Sequence, residues 1–462
     1  MKLLSKVIFQ VRIAAVITLL AGISNTVFAS DDQSSLPIKL NEKTDRTLEY
    51  DWPILSVGTG EYPDGPTGLT VFHFKEKVSV AIDARGGGPS GVNAEYIKLG
   101  YDIPELDAIV FAGGSWYGLE AVTAVSSALK DDGLRDGNAF AIEPSIALSA
   151  GAIIFDFGSR RLNEIYPDKR LAQATFRHTS SGTFPMGATG AGRFAKSGAY
   201  FGCNAFSGQG GAFRQIGDIK IAVFTVVNSL GVIVNRDGVI QSCFKKAGMS
   251  DELTAKELIS AFANSKKPVI SSKENEQSSK NTTITLVVVN QKLEPALLQR
   301  LAVQVHTSMA RAIQPFATIF DGDVLYAVST NEIEEQIMLP HDLGVLAGEV
   351  AWDAVLNSQP IQPTLPITTE VNEVDVSAIS GTYKFSRLAL LDIKTDKQKV
   401  FARASGERSV YGIGTENWVE LKPTSNGGFS FPSRYPALFD FSTKNVIKLN
   451  PGHWQQTGYK IN

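Results

Sequence analysis

Hydrophobic and polar positions alternate in blocks along residues 68–238, where short apolar runs are separated by glycine-rich turns and by stretches with helical spacing. Runs rich in β-branched and aromatic residues predict strands, at residues 78–84, 106–112, 152–157 and 219–227. Apolar residues at helical spacing predict helices, at residues 117–129 and 295–313. This mixture of elements predicts one α/β body.

The composition changes abruptly between residues 263 and 280, where Ser, Lys, Glu, Gln and Asn dominate. Such a segment buries too little apolar area to order itself, so we expect it to be exposed. A strongly β-prone run, residues 281–289, follows directly. A chain break at this junction would leave the new terminus held by the sheet, so the junction is a candidate cleavage point.

The last part of the chain has a different pattern. Pro360, Pro363 and Pro366 indicate a linker, and short alternating runs separated by Gly, Asn, Ser and Pro fill residues 371–462. This pattern predicts a small antiparallel, barrel-like β domain without a catalytic constellation. We therefore expect a catalytic body at residues 30–358, a linker at 359–370 and an accessory domain at 371–462.

The N-terminus has the pattern of a secretory signal peptide. A basic start and an apolar stretch at residues 13–23 precede small residues ending at Ala29, which predicts cleavage after residue 29 and a periplasmic or secreted protein. A membrane anchor is the weaker alternative, because a bilayer span needs about 20 apolar residues. Export would permit a disulfide between Cys203 and Cys243, but two separate buried thiols fit the sequence equally well.

Charge and residue usage exclude several function classes. A formal net charge of −3 without a basic cluster argues against a nucleic-acid partner. The five histidines are scattered without metal-ligand spacing, so we expect no metal. Residues 187–192 are glycine-rich but lack the Gly-Lys-Ser/Thr ending of a phosphate loop and the spacing of a dinucleotide site. We therefore expect a small substrate and no cofactor.

A second glycine-rich turn, Gly113-Gly114-Ser115, lies between a predicted strand and a predicted helix. It resembles the nucleophile elbow of α/β-hydrolases, although its spacing is one residue too long. One interpretation is a substrate-binding turn whose backbone amides approach the ligand. A tight strand-to-helix turn without a ligand is the alternative.

The tripeptide Asn281-Thr282-Thr283 is a candidate nucleophile site. A threonine hydroxyl is a weak nucleophile unless its own α-amine, freed at a new N-terminus, acts as the base. That amine has a pKa of about 7.7 to 8.0, which suits proton transfer near neutral pH. Taken alone, the tripeptide is also the ordinary start of a β-branched strand.

Seven segments carry a family resemblance. In chain order they are Arg85-Gly86-Gly87-Gly88-Pro89, Phe111-Ala112-Gly113-Gly114-Ser115, Ile153-Ile154-Phe155-Asp156-Phe157, Val226-Val227-Asn228, Asn281-Thr282-Thr283-Ile284, Ala310-Arg311-Ala312-Ile313 and Asp321-Gly322-Asp323. Over residues 68–356 the chain resembles the DmpA/BapA family of L-aminopeptidases, D-esterases and β-peptidyl aminopeptidases. The resemblance implies a four-layer αββα N-terminal-nucleophile fold and a homo-oligomer.

The resemblance also implies roles for individual residues. The precursor would cut itself at Asn281-Thr282, giving a first chain of residues 30–281 and a second that begins with the nucleophile Thr282. Asn228 would donate to the oxyanion. Asp321 and Asp323 would orient the Thr282 hydroxyl and amine, although Asp-Gly is also a common turn.

The expected activity is therefore that of an exported aminopeptidase. It would release N-terminal residues from short peptides, amides or esters through an acyl-Thr282 intermediate. Acyl transfer to an amine, as in the related ornithine-acetyltransferase-like fold, is one alternative. An uncleaved periplasmic binding or scaffold protein is another.

Overall fold

The computed structural model describes residues 33–99, 104–135, 145–160, 162–243, 252–264, 281–369, 376, 378–431 and 437–461. The predicted signal peptide and all but the first two residues of the polar segment 263–280 lie outside these ranges, so both stay predictions. No helix within the described ranges is long and apolar enough to cross a membrane.

The body is built from strands joined by glycine-rich turns and by helices. Its strands are β1 (Lys39–Leu40), β2 (Thr47–Glu49), β3 (Leu55–Tyr62), β4 (Thr67–Ala84), β5 (Gly91–Val92), β6 (Glu105–Ala112), β7 (Ser149–Ile153), β8 (Ser180–Ser181), β9 (Thr183–Pro185), β10 (Lys196–Ser197), β11 (Ala205–Phe206), β12 (Gln209–Ile216), β13 (Ile219–Asn228), β14 (Val232–Ile233), β15 (Thr282–Gln291), β16 (Ile313–Gln314) and β17 (Val324–Ile333). Its α-helices are α1 (Ala94–Leu99), α2 (Leu119–Asp131), α3 (Phe157–Arg160), α4 (Lys169–Arg177), α5 (Ala255–Asn264), α6 (Pro295–Ser308) and α7 (Pro340–Asn357).

Strand β4 connects the two halves of the main sheet, whose central order is β12-β13-β15-β17-β4-β6-β7-β5. The first half of β4 pairs with β3, and its second half pairs with β17. The register against β6 shifts between His73 and Val78, which marks an irregularity where the long strand passes from one half to the other.

Alternation along the strands gives each half of the sheet two buried faces. In β15, Ile284, Leu286 and Val288 join the apolar core shared by the two halves. Val287 and Val289 belong instead to the core formed with helices α6 and α7. On the opposite side, α2 packs on β6 and β7, and α4 packs on β3 and β4. The predicted four-layer αββα fold is therefore confirmed.

The predicted elements match the structure except near residue 152 and after residue 308. Residues 78–84, 106–112 and 219–227 lie within β4, β6 and β13, but the bounds predicted for the strand at 152–157 are wrong beyond residue 153. The strand β7 is the run Ser149–Ile153, and Phe157 begins α3. Small residues are required in β7, because a Cβ at Gly151 would lie 2.0 Å from the carbonyl oxygen of Val110. Similarly, the helix predicted at 295–313 ends at Ser308, and Ile313 begins β16.

The C-terminal strands close into an antiparallel barrel, which confirms the predicted accessory β fold. They are β18 (Gly381–Lys384), β19 (Leu390–Asp396), β20 (Lys399–Ala404), β21 (Val419–Pro423), β22 (Phe429–Phe431), β23 (Ala437–Asp440), β24 (Val446–Leu449) and β25 (Gln456–Lys460). Pairing of β25 with β18 closes the ring. Leu162 of the body packs into the barrel core, so the two parts share apolar surface.

Cys203 and Cys243 form a disulfide. The sequence left this pairing open, because two separate buried thiols fitted it equally well. Cys203 is fully buried in a small cluster with Val232 and Val234.

Candidate active site

Thr282 is the first residue of β15, a strand in which every residue is buried. It lies opposite Asn228 of β13, and the preceding residue, Asn281, forms a parallel bridge with Asp321. Residues 282–289 have strong β propensity, and the strand lies inside the sheet between β13 and β17. The sheet thus brings together Asn228, Thr282 and the Asp321-Gly322-Asp323 segment, as the sequence predicted.

Two donors meet at the carbonyl oxygen of Asn281. The Thr282 hydroxyl donates to it at 2.6 Å, and the Gly322 N–H donates to it, also at 2.6 Å. A hydrogen-bond donor on a carbonyl oxygen stabilises the negative charge that develops there when a nucleophile adds to the carbon. The Gly322 N–H can therefore stabilise that charge, and the Thr282 hydroxyl lies beside the carbonyl group that it would attack.

Gly322 was missed as a candidate by sequence reasoning. A Cβ built at this position would lie 2.6 Å from Thr282 Oγ1 and 2.9 Å from the carbonyl oxygen of Gly88. Only glycine fits between these two groups. The central glycine of the Asp-Gly-Asp segment was the signal available in the sequence.

The two carboxylates hold the backbone around Thr282. Asp323 accepts from the N–H of Thr283 at 2.5 Å and from that of Ala317 at 3.0 Å. Asp321 accepts from Leu230 N–H at 3.2 Å and from the hydroxyl of Thr318 at 2.6 Å. In this conformation the Thr282 hydroxyl itself points to the Asn281 carbonyl oxygen. The predicted orientation of the Thr282 hydroxyl and amine by these carboxylates stays a prediction.

Both carboxylates are buried, which changes their acidity. Burial raises the pKa of Asp321 above its ordinary value. Burial, reinforced by repulsion from Asp321, raises the pKa of Asp323 to about 8. In the uncleaved chain, Asp323 therefore exchanges its proton near neutral pH. After chain cleavage, an α-amine with an ordinary pKa of about 7.7 to 8.0 would lie near this carboxyl group.

The Asn228 side chain is oriented by its neighbours. Its Oδ1 accepts from the N–H of Lys196 at 3.0 Å, which leaves the amide nitrogen as the donor end. That nitrogen makes only a long bond, 3.5 Å, to the carbonyl oxygen of Phe155. Lys196, a buried residue that sequence reasoning did not single out, therefore contacts Asn228 through its backbone N–H, while its ammonium group lies over the Phe206 ring.

The backbone N–H groups of Gly113, Gly114 and Ser115 all donate hydrogen bonds within the protein. They donate to the carbonyl oxygens of Gly68 and Ile154 and, for Gly114, to Asp156 Oδ1 at 2.9 Å. These hydrogen bonds agree with the alternative interpretation, a strand-to-helix turn that binds no ligand. Within the described ranges, no cluster of three or more His, Cys, Asp or Glu side chains could hold a metal ion.

The family model described as peptidase family S58 matches residues 51–377. The chain belongs to peptidase family S58. The resemblance to the DmpA/BapA family is thereby confirmed, and the chain is a hydrolase of the peptidase class. The matched region contains every predicted site residue and stops before the barrel strands.

Curated relatives fall into two groups. The chain is 39% identical over 327 residues to a 6-aminohexanoate-oligomer endohydrolase of Paenarthrobacter ureafaciens, an alignment that covers 67% of this chain and 85% of the relative. It is 29% identical over 293 residues to an uncharacterized aminopeptidase of Mycobacterium leprae, covering 61% and 75%. Among solved structures, an L-aminopeptidase D-Ala-esterase/amidase from Ochrobactrum anthropi aligns with a TM-score of 0.48 and 16% identity, over 69% of this chain and 88% of that one.

Proposed function

We propose that this member of peptidase family S58 is a self-processing amide hydrolase that uses Thr282 twice. The observation that carries the proposal is the pair of donors on the Asn281 carbonyl oxygen, one from the Thr282 hydroxyl and one from Gly322 N–H, each at 2.6 Å. The first use of the hydroxyl cuts the chain. The second use attacks a substrate.

Chain cleavage begins with an N-to-O acyl shift. Thr282 Oγ1 adds to the carbonyl carbon of Asn281, and its proton is delivered to the nitrogen of Thr282 as the carbon–nitrogen bond breaks. The resulting ester is hydrolysed by water, which leaves a carboxylate on Asn281 and a free amine on Thr282. Gly322 N–H stabilises the alkoxide in this step, a contribution worth about 2.7 to 4 kcal/mol per donor in other enzymes.

In the mature enzyme the α-amine of Thr282 takes the hydroxyl proton and returns it to the leaving amine. The Asn228 amide donates to the substrate oxyanion, since its oxygen end is already occupied by Lys196. In the uncleaved chain the raised pKa of Asp323, about 8, keeps a proton on this carboxyl group near neutral pH, and the group can exchange that proton with the amine as it is freed.

The substrate proposed is a short linear amide, peptide or ester with a free amino group. A second candidate is internal cleavage of ω-amino-acid oligomers. The higher identity to 6-aminohexanoate-oligomer endohydrolases, 39% against 29% for the aminopeptidase relative, favours this candidate. Both substrates are attacked at an amide carbonyl, so the same residues serve either one.

The processing proposal is tested by a denaturing gel of purified protein. Wild type should give two fragments, with the smaller one beginning at Thr282 by N-terminal sequencing, and Thr282→Ala should give one chain. Active protein with an unbroken backbone through Asn281 and Thr282 would refute the mechanism.

Substrate choice is tested with two probes, L-alanine p-nitroanilide and the linear tetramer of 6-aminohexanoate. Removal of terminal residues should release nitroaniline from the first probe and monomer plus trimer from the second. Dimers as the first product of the tetramer would show internal cleavage instead.

Export is proposed from the N-terminal pattern and is supported by the Cys203–Cys243 disulfide, because such bonds persist in oxidising compartments. Mass spectrometry of secreted or periplasmic protein should place its first residue at Ser30. The homo-oligomer implied by the family resemblance is proposed as well, and light scattering of the processed protein tests it.

A further inference from the structure

The barrel contacts the body close to Asn228. Trp454, which precedes β25, stacks on Phe206 of β11 with ring centroids 3.9 Å apart and an interplanar angle of 16°. Both side chains are buried, together with Phe194 and Ala188. Stacked aromatic pairs of this kind contribute beyond their buried area, so the contact fixes the position of β11.

A short chain of contacts leads from Phe206 to the proposed oxyanion donor. Phe206 pairs with Lys196 across β10 and β11, and the Lys196 ammonium lies 4.3 Å from the centre of the Phe206 ring. The backbone N–H of Lys196 donates to Asn228 Oδ1 at 3.0 Å. A shift of Phe206 would therefore move the residue that orients the Asn228 amide.

Two further residues from the C-terminal part of the chain support this contact. Gln362, in the predicted linker, holds both backbone groups of Phe206, accepting from its N–H at 2.9 Å and donating to its carbonyl oxygen at 2.8 Å. His453, next to Trp454, contacts the Arg193 guanidinium and the Ala188 carbonyl oxygen. Trp454 lies outside the region matched by the family model, whereas Lys196, Phe206 and Asn228 lie inside it.

We propose that Trp454 is a positioning residue for the active site, acting through Phe206 and Lys196 on the Asn228 amide. The barrel is then a structural part of the catalytic unit rather than an independent appendage. This inference rests on the proposed oxyanion role of Asn228. It assigns Trp454 no contact with the substrate.

The test compares Trp454→Leu with Trp454→Phe in the full-length processed enzyme, using L-alanine p-nitroanilide. Loss of the aromatic stack should lower kcat about three- to tenfold with KM changed less than about twofold, and phenylalanine should restore most of the loss. Tyr459→Leu is the matched control, because it removes an exposed aromatic ring from β25, and its kcat should equal that of wild type. If Trp454→Leu gives no soluble protein, Trp454→Tyr and Trp454→Met make the same comparison.

A double-mutant cycle with Asn228→Ala identifies the route of the effect. If Trp454 acts through Asn228, adding Trp454→Leu to Asn228→Ala should lower kcat no further. Multiplicative losses, or a kcat for Trp454→Leu within about twofold of wild type, would overturn the inference while leaving the proposed function intact. An Asn228→Ala variant with wild-type turnover would instead refute the oxyanion assignment, and with it the route through Asn228.

Discussion

Replacing Gly322 by alanine should stop the chain from cutting itself efficiently. The new Cβ would lie 2.6 Å from Thr282 Oγ1, whereas ordinary van der Waals contact begins at 3.4 Å. The hydroxyl, the Gly322 amide or both must therefore move by about 0.8 Å. A displacement of about 1 Å in a reacting group can cost about 10²-fold in rate, so we expect processing of Gly322→Ala to be about 10²-fold slower.

The assay follows disappearance of the precursor on denaturing gels after a pulse of synthesis, with fragment masses measured at each time. Gly88→Ala is the control, because Gly88 borders Gly322 but a Cβ there meets no atom within 4 Å. It should process at the wild-type rate. Wild-type processing of Gly322→Ala would show that the hydroxyl does not react from the position observed, and the proposed first step would then be wrong.

Further outcomes are expected for the oxyanion donor, for the buried carboxylates and for the disulfide. Asn228→Ala should lower kcat about 10²- to 10³-fold with the fold retained, as measured on processed enzyme, and an unchanged kcat would exclude the oxyanion role. The pKa of Asp323 is raised in the folded protein, so its folded form holds a proton that the unfolded chain loses above about pH 4. The free energy of unfolding of the unprocessed variant Thr282→Ala should therefore fall as pH rises from about 4 to about 8. Asp321→Asn should weaken that loss by removing the repulsion, and denaturant titrations with unchanged pH dependence would contradict it. The Cys203–Cys243 disulfide joins residues 40 positions apart, so removing it should lower the free energy of unfolding by about 4 kcal/mol. A loss below about 1 kcal/mol would contradict this prediction.

The local pattern of the chain determined much of the architecture. Apolar alternation and β-branched residues located β4, β6, β13 and β15, and short alternating runs located the barrel. These features depend on neighbours a few positions apart, which is the range that periodicity reports. The segments shared with the family likewise pointed to Asn228 and to Asp321-Gly322-Asp323, which the structure brings to Thr282.

Other features depend on residues far apart in the sequence. Strand β7 includes Gly151, whose close packing against the Val110 carbonyl oxygen of β6 joins residues far apart in the sequence. The disulfide, the raised pKa of Asp323 and the contact of Trp454 with Phe206 each require groups that meet only in the folded chain. Residue types alone do not report these distances. The sequence by itself therefore determined most of the elements, the family and the candidate nucleophile, whereas tertiary packing decided which groups surround the nucleophile and how the barrel contacts them.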